Sequence, residues 1–382
     1  MAKNSMQQFD VIIIGGGLAG LSFAIQLAEL KRKVLLLEKN KYPFHRVCGE
    51  YISMESWNFL ERLGIPLEQM NLPIITNLRV TSLKGTAIDH SLDLGGFGIS
   101  RYTLDNALAS IAKGKGTEVK EECRAEEIIR EGEDFIVKTK DDEYTSPVVI
   151  GAFGKRSNLD KKLNRRFELN PQPPSKNWVG VKYHISADLP ENRIELHNFE
   201  NGYCGISKVD GGKYCLCYLT KAENLRHSDG NIVMMEEKIL LKNSFLKKYF
   251  SDRSKFLFRE PVTISQITFE NKFPVEKNVL MPGDSAGMIA PLCGNGMSMA
   301  LHASSIALPI VEMFLRKEIS RAEMEKTYSQ QWKYFFAGRL RRGRMLQPLL
   351  VKSSLSNATV SFLKTFPFLM KPIVRSTHGR SF

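Results

Sequence analysis

Three glycines near the start of the chain have the spacing G-x-G-x-x-G and stand between two apolar runs. They are Gly15, Gly17 and Gly20, and the second apolar run ends in Glu38. A helix that begins at such glycines directs unpaired backbone N–H groups toward a phosphate, and a carboxylate after the second run accepts hydrogen bonds from a ribose. The pattern therefore predicts a strand–helix–strand dinucleotide site. The residues assigned to it are Gly15, Gly16, Gly17, Leu18, Ala19, Gly20 and Glu38.

The elements that must position this site follow from periodicity. Residues 101–112 form an amphipathic helix opened by Arg101, and residues 148–152 form a buried strand. Alternating runs at 74–88, 90–99, 118–140 and between 178 and 268 predict strands, the third as a hairpin, with a helix over 232–250. A strand at 278–281 precedes a helix over 297–315. Cys215 and Cys217 share one face of a strand, and we interpret them as core residues rather than ligands.

The predicted fold class is α/β, with a Rossmann-like domain interwoven with a mainly antiparallel β-sheet domain. The dinucleotide domain is discontinuous and covers residues 1–70, 100–165 and 270–320. The substrate domain covers 71–99 and 166–269, and a basic amphipathic helical segment covers 321–382. A chain of 382 residues is long enough for two such domains.

The amino-acid composition indicates the class of protein and the compartment in which we expect it. The chain is 43% hydrophobic and 25% charged, which is ordinary for a soluble globular protein. Its six cysteines show no C-x-x-C or zinc spacing, so we expect neither a disulfide framework nor a metal site, and a reducing cytoplasm fits best. The sequence shows no signal-like segment and no uninterrupted apolar run of membrane-spanning length.

The basic charge is concentrated at the C-terminal end. The formal net charge is +13, and the last 44 residues carry nine of the cations and no acid. Because these cations alternate with Leu and Phe, the pattern favours an anionic membrane surface over nucleic acid as partner. A helix face packed on the core fits the same pattern equally well. The nine are Arg339, Arg341, Arg342, Arg344, Lys352, Lys364, Lys371, Arg375 and Arg380.

Three separate stretches together resemble a family. The N-terminal unit, the helix with Arg101-x-x-x-Asp105, and a late Gly283-Asp284 segment with Gly294-x-Gly296 resemble the FAD enzymes built like para-hydroxybenzoate hydroxylase. Within these, the stretches 46–50 (Arg-Val-Cys-Gly-Glu) and 283–297 look most like the geranylgeranyl reductase branch. The resemblance covers most of the chain up to about residue 315.

The resemblance implies a bound FAD. Asp284 would bind a ribityl hydroxyl, Arg101 would lie near the pyrophosphate or ribityl chain, and a helix N-terminus would stabilise the charge of reduced flavin near N1 and O2. NAD(P)H is the expected external reductant, although Phe153-Gly154 stands where the family commonly has Asp-Gly, which leaves the reductant open. The implied contacts beyond the N-terminal unit are Arg46, Arg101, Asp284, Pro291, Gly294, Asn295, Gly296 and Met297.

Cys48 lies in the loop that, by the resemblance, approaches the flavin. A thiol there donates a proton or contacts substrate, or it only fills space beside the ring; both interpretations stay open, because reactivity depends on exposure and environment. His45 and Glu50 are weaker candidates and are expected to make loop contacts. The tryptophan-rich signature and active lysine of flavin halogenases are missing, so halogenation is not expected.

Two enzymatic functions fit the resemblance. The first is a flavin monooxygenase that hydroxylates an aromatic or lipid-like compound, such as an alkylphenol, and it is the one we favour. The second is a reductase that saturates prenyl double bonds, for which Cys48 is an available proton donor. Residues 201–207 (Asn-Gly-Tyr-Cys-Gly-Ile-Ser) resemble a substrate-sheet element of reductase-like flavoproteins and do not choose between the two. The sequence does not indicate an oligomeric state.

Overall fold

The computed structural model describes residues 6–169, 173 and 176–382, so parts of the predicted segments 1–70 and 166–269 lie outside the described residues. The strands are β1 Gln7–Gln8, β2 Val11–Ile14, β3 Val34–Leu37, β4 Tyr51–Ser53, β5 Ile74–Thr81, β6 Ala87–Gly98, β7 Glu118–Lys120, β8 Glu127–Glu131, β9 Asp134–Lys138, β10 Glu143–Ser146, β11 Val148–Gly151, β12 Trp178–Ile185, β13 Arg193–Phe199, β14 Gly202–Lys208, β15 Tyr214–Lys221, β16 Val262–Ile267, β17 Val275–Glu276 and β18 Val279–Leu280.

The α-helices alternate with these strands in the first three quarters of the chain and then follow one another to the C-terminus. They are α1 Leu18–Glu29, α2 Trp57–Arg62, α3 Arg101–Gly114, α4 Asn158–Lys162, α5 Arg166–Leu169, α6 Ala222–Arg226, α7 Ile232–Ile239, α8 Ser244–Phe250, α9 Gly296–Leu315, α10 Arg321–Trp332, α11 Gly338–Val351, α12 Ser353–Thr365 and α13 Met370–Thr377.

The first sheet has the order β17-β18-β11-β2-β3-β7, and its pairs are parallel except β17–β18. Its central strands β2 and β3 are apolar and fully buried, as expected for a parallel sheet covered on both faces. Helix α1 connects β2 to β3 and packs against α3 and α9. The prediction of an α/β Rossmann-like domain is confirmed.

The second sheet is large and mainly antiparallel, in the order β16-β12-β15-β14-β13-β5-β6-β4, with β13–β5 parallel. Side chains alternate between its faces along each strand. Val181 and Tyr183 of β12 face a core formed with α7 and α8. Lys182 and His184 face the opposite side, where they reach Glu50 of the loop after β3. This second face of the sheet meets the dinucleotide domain.

Four local expectations differ from the structure. The strands expected over 74–88 and 90–99 are β5 and β6, which are separated at residues 82–86 and not at residue 89. The predicted hairpin is β8–β9, in a small sheet of order β1-β10-β9-β8, while β7 joins the edge of the parallel sheet. The helix expected over 232–250 is divided into α7 and α8, because the Asn243 side chain accepts the Phe245 N–H at 2.9 Å and starts a new helix. Strand β4, from a segment assigned to the dinucleotide domain, pairs with β6 of the large sheet.

Helix α9 corrects the expectation that the chain has no apolar run of membrane-spanning length. It has 20 residues and a mean hydropathy of 1.4, which is long and apolar enough to cross a membrane. It is nevertheless largely buried within the protein. Its Ser304 hydroxyl lies 2.7 Å from that of Ser22 in α1, and its Glu312 binds Arg32 at 2.6 Å. We interpret α9 as a core helix.

The C-terminal segment is helical, and it packs on the rest of the protein. α10 packs against α9, and α12 and α13 cover β6 with an apolar cluster that includes Val80, Ile88 and Val360. Some of its cations are already paired, since Lys371 and Arg375 both bind Asp93, at 3.1 and 2.7 Å. The interpretation of the tail as a helix face packed on the core is therefore correct for its inner side.

Candidate flavin site

In the glycine-rich turn, the backbone is tightly packed at Gly15 and Gly20, whereas Gly17 borders open space. Gly15 has a φ of +107°, and a Cβ there would clash with the Ala152 carbonyl; a Cβ on Gly20 would clash with the Gly15 carbonyl. At Gly17 the nearest atom to such a Cβ is Arg101 Nη2, at 3.6 Å. Helix α1 begins there without a side-chain cap. Its first N–H groups and Arg101 therefore face the same space, which suits a pyrophosphate.

Glu38 and Arg46 lie directly beside this turn. Glu38 Oε2 accepts the Gly16 N–H at 2.9 Å and pairs with Arg46 at 3.0 Å, while Oε1 accepts two hydrogen bonds from Asn40. Arg46 also binds Asp105 at 3.0 Å, and Asp105 is held by Arg101. Glu38 thus fixes the turn and the following loop. Its predicted contact with the ribose hydroxyls stays a prediction.

The second half of the predicted site lies in the segment between β18 and α9. The Asp284 carboxylate is half-buried and has no hydrogen bond or ion pair to any of the residues that the structure describes. Gly294 has a φ of +64°, a left-handed conformation that favours glycine, and follows a short turn over Pro291–Cys293. Helix α9 begins at Gly296, again without a side-chain cap.

Asn295 differs from its neighbours in this segment. Its side-chain amide donates to the Thr377 carbonyl at 2.8 Å, near the C-terminal end of the chain. Its side-chain nitrogen is thus bound to the protein, whereas the side-chain oxygen is buried without a hydrogen-bond partner among the described residues. Met297 is buried, and its sulfur lies 3.4 Å from the sulfur of Cys48.

These observations fit FAD. Two helices begin without side-chain caps, at Gly17 and Asn295, and each offers unpaired N–H groups to an anion. The Arg101 guanidinium lies beside the first of these helix starts, and the Asp284 carboxylate belongs to the segment that leads to the second. This donor and acceptor set matches the pyrophosphate, ribityl chain and pyrimidine edge of FAD in that order.

Cys48 lies at the junction of the two domains, next to a buried charged cluster of Glu50, Lys182 and His184. Its sulfur accepts the Glu50 N–H at 3.4 Å. Glu50 binds Lys182 Nζ through Oε1 and lies 2.6 Å from His184 Nε2 through Oε2, and it also accepts the Arg101 N–H at 2.8 Å. Glu50 and Lys182 are both 0% exposed. The cluster ties the Cys48 loop to β12 and to the start of α3.

The charges of this cluster stabilise each other. Burial alone would raise the pKa of Glu50, but the hydrogen bond with His184 and the charge of Lys182 outweigh it and lower the pKa to about 2. Burial likewise opposes the charge of Lys182, yet nearby anionic groups raise its pKa. Glu50, His184 and Cys215 offer ligand atoms within 4.8 Å of one another, as a metal site would. Because the Lys182 ammonium already binds Glu50, we interpret the group as an ion-pair cluster.

Sequence reasoning missed Lys182 and His184. A signal was present, since these two polar residues stand at i and i+2 in an otherwise apolar strand and therefore share one face. Their partner Glu50 lies more than 130 residues earlier in the chain, and only the fold brings it to them. Cys215 is buried, as expected for a core residue, and its thiol contacts the Cys48 carbonyl at 3.2 Å. Cys217, expected in the core with it, is only half-buried and pairs across the strands with Lys182.

The chain is similar to several known FAD-dependent proteins. The family model described as FAD dependent oxidoreductase matches residues 10–46. Digeranylgeranylglycerophospholipid reductase 1 of Methanopyrus kandleri is 24% identical over 94% of each chain. Among solved structures, the flavin-dependent brominase Bmp2 has a TM-score of 0.76 at 17% identity and covers 97% of this chain and 93% of its own. PqsL of Pseudomonas aeruginosa, described as a probable FAD-dependent monooxygenase, has a TM-score of 0.71 at 17% identity, covering 93% and 99%.

These likenesses extend over nearly the whole chain, whereas the family model is confined to the glycine-rich unit and the loop up to Arg46. The solved structures share the two-domain flavoprotein fold and, at their low identity, show the fold alone. They lead to one conclusion: the chain is an FAD-dependent oxidoreductase with the two-domain flavoprotein fold of these solved structures, and it resembles the digeranylgeranylglycerophospholipid reductases.

Proposed function

We propose that the protein is a flavin monooxygenase that hydroxylates an aromatic or lipid-like compound, with alkylphenols among the candidates. The observation that carries the proposal is the surface that the large sheet presents to the predicted flavin position. Cross-strand pairing places Gly180 beside Leu219, and Gly205 beside Cys217, on this face. Without a side chain at Gly180, Val47 of the Cys48 loop packs directly on the sheet. An apolar substrate would bind beside this contact, where Leu219 and Cys217 face the predicted flavin position, while the buried cluster keeps the loop in place.

The chemistry divides between cofactor and protein. Bound FAD supplies electron transfer and oxygen activation. Arg101 and the N-terminus of α1 would hold the pyrophosphate, Asp284 would bind the ribityl chain, and the N-terminus of α9 would stabilise negative charge on the pyrimidine edge. Met297 and Cys48 close the junction against water. Glu50, Lys182 and His184 act as positioning residues for the Cys48 loop.

Saturation of prenyl double bonds is the alternative, and one observation favours it. Cys48 is half-buried at the junction, where its thiol is available to protonate a substrate carbon. The similarity to a protein named as a prenyl-lipid reductase covers nearly all of both chains. Prenyl lipids and aromatic compounds are therefore both substrate candidates.

Product analysis separates the two reactions. A monooxygenase consumes oxygen and adds one oxygen atom to an alkylphenol, whereas a reductase adds two hydrogens to a prenyl chain without oxygen. Cys48→Ser should leave hydroxylation within about twofold but slow saturation by about tenfold or more, because only saturation needs the thiol proton. Cys204→Ser is the matched control, since Cys204 is buried against the core on the opposite face. No oxygen-dependent product with any apolar phenol would contradict the monooxygenase proposal.

We also propose NAD(P)H as the external reductant. The support is indirect, because the chain presents one dinucleotide fingerprint, and FAD would use it. A nicotinamide cofactor would then act as a dissociating substrate. Anaerobic mixing with NADH and with NADPH should bleach the flavin absorption; reduction by neither would contradict the proposal.

We further propose that the protein works in the cytoplasm and attaches to an anionic membrane surface through the outer side of α12 and the turn after it. Phe362, Phe366 and Phe368 are 53%, 42% and 69% exposed, and their rings are adjacent, with centroids 5.0 and 6.2 Å apart. Exposed Lys364 lies between them in sequence. Exposed aromatic rings flanked by cations are typical of interfacial attachment.

Vesicle sedimentation tests the attachment. Phe366→Ser with Phe368→Ser should abolish binding to phosphatidylserine vesicles without a change in flavin content. Leu257→Ser removes an equally exposed apolar side chain outside this segment and should not affect binding. Equal binding by the wild type, the double variant and the control would contradict membrane attachment through these rings.

A further inference from the structure

A cleft of about 570 Å³ lies between the end of the large sheet and helix α11. Four cations line it, Arg166, Lys176, Lys221 and Arg344, against a single carboxylate, Glu270. The cations come from four separate parts of the chain, so their convergence is a product of the fold and not of a basic run in the sequence. The formal charge of the lining is +3.

In the part of the chain that the structure describes, the four cations of this cleft have no carboxylate partner; Arg166 and Lys176 are exposed, and Lys221 and Arg344 are half-buried. The adjacent residue Arg165 shows the contrast, because it is fully buried and bound by both Asp160 and Glu276. Arg344 is half-buried, and burial followed by repulsion from Arg341 lowers its pKa. A half-buried cation without a counter-charge is stabilised by an anionic ligand.

The walls between the cations are aromatic. Trp178 and Phe269 meet edge to face, with ring centroids 6.0 Å apart. Aromatic walls beside cations suit a ligand that joins an anionic group to a ring or an apolar chain. The carboxylate of Glu270 already accepts a hydrogen bond from the Thr268 hydroxyl at 2.8 Å.

The cleft is connected to the flavin side of the sheet. Trp178 and Lys221 are cross-strand partners at the ends of β12 and β15. Trp178 packs in one apolar cluster with Met288 and Leu292, which belong to the segment that carries the predicted flavin contacts. Two residues further along β12, Gly180 faces Val47, the neighbour of Cys48. A ligand held here by its anionic end lies beside the site and not on a remote surface.

We propose that this cleft binds the phosphate group of a phosphate-bearing ligand used by the enzyme. Phosphate matches the unpaired cations in charge, and Arg166 and Arg344 can each offer it two parallel N–H donors. Two sources share this chemistry: the phosphates of a pyridine nucleotide and the phosphate of a phosphorylated apolar substrate. The proposal goes beyond hydroxylation or saturation, because it holds for either reaction.

The test uses the FAD-loaded protein, so that the pyrophosphate site of the cofactor is filled. Lys221→Ala with Arg344→Ala is compared with Lys238→Ala with Arg226→Ala, which removes the same two charges from the helices on the opposite side of the sheet. Inorganic pyrophosphate is titrated by calorimetry at low and high salt. The cleft variant should bind it about tenfold more weakly, whereas the control should bind it like the wild type.

Kinetics then distinguish the sources. If the cleft variant has a higher KM for NADPH than the wild type and the same kcat, the cleft binds the nucleotide. If its KM for NADPH is unchanged but it binds farnesyl phosphate more weakly, the cleft binds the substrate. Both results support a phosphate site. Equal pyrophosphate affinity in the wild type and both variants, or no binding by the wild type, would overturn it. A wild type that binds pyrophosphate but forms neither a hydroxylated nor a saturated product would contradict only the proposed function.

Discussion

Two buried Glu–His pairs lie against the large sheet, one on each face. Glu50 binds His184 and Lys182 on the face that meets the flavin domain. Glu195 binds His197 at 3.0 Å and the Tyr249 hydroxyl at 2.9 Å on the face covered by α8. Burial opposes ionisation in both carboxyls, but their hydrogen bonds and neighbouring cations lower the pKa of each to about 2.

The pairs differ in what they hold. Glu195 and His197 belong to one strand, and Tyr249 belongs to a helix packed on that strand, so this group stabilises the inside of one domain. Glu50 comes from a loop of the other domain, and Cys48 lies two residues before it in the same loop. The same chemistry therefore serves local stability in one place and positions a flavin-side loop in the other. Loss of either pair should lower the free energy of unfolding, but only loss of the Glu50 pair should slow reduction of the flavin.

The largest expected effect comes from neutralising either carboxyl. Glu50→Gln leaves the Lys182 ammonium buried without a counter-charge and should lower the free energy of unfolding by about 3–5 kcal/mol. Glu195→Gln should cost a comparable amount, because Arg193 loses its partner at 2.6 Å. Chemical denaturation of both variants measures this. If Glu50→Gln is as stable as the wild type, the buried pair does not exist as described.

A second change separates stability from positioning. Lys182→Met in the Glu50→Gln background removes the unpaired charge at similar volume and should recover about 2 kcal/mol of the loss. Flavin reduction should stay as slow as in the single variant, since the tie between the Cys48 loop and β12 is still missing. Recovery of both quantities together would show that Glu50 acts through stability alone.

The pH dependence gives the smallest effect. A carboxyl with a folded pKa of about 2 and an ordinary unfolded value of 4.5 stabilises the protein above pH 4.5 and loses this contribution as the pH falls toward 2. The difference in unfolding free energy between wild type and Glu50→Gln should therefore shrink by about 2 kcal/mol from pH 5 to pH 3. A difference that is constant with pH would contradict the lowered pKa.

Much of the fold followed from local patterns in the sequence. The glycine spacing and Glu38 define the parallel unit, and the Gly294 turn before α9 defines the second half of the flavin site. What the sequence did not reveal depends on contacts across the chain. Glu50 meets Lys182 only when the two domains close on each other. The side chain of Asn295 binds near the C-terminus, and the unpaired cations of the cleft converge from four segments, which no local pattern indicates.

We expect the flavin to meet the large sheet on the face that contacts Glu50. Stopped-flow reduction, expressed per bound FAD, tests it most directly in Glu50→Gln and Glu195→Gln, two variants of comparable stability loss. The rate should fall by about tenfold or more in Glu50→Gln, because the Cys48 loop is released, and should stay within about twofold in Glu195→Gln. Equal rates in the two variants, or a larger loss in Glu195→Gln, would contradict the claim.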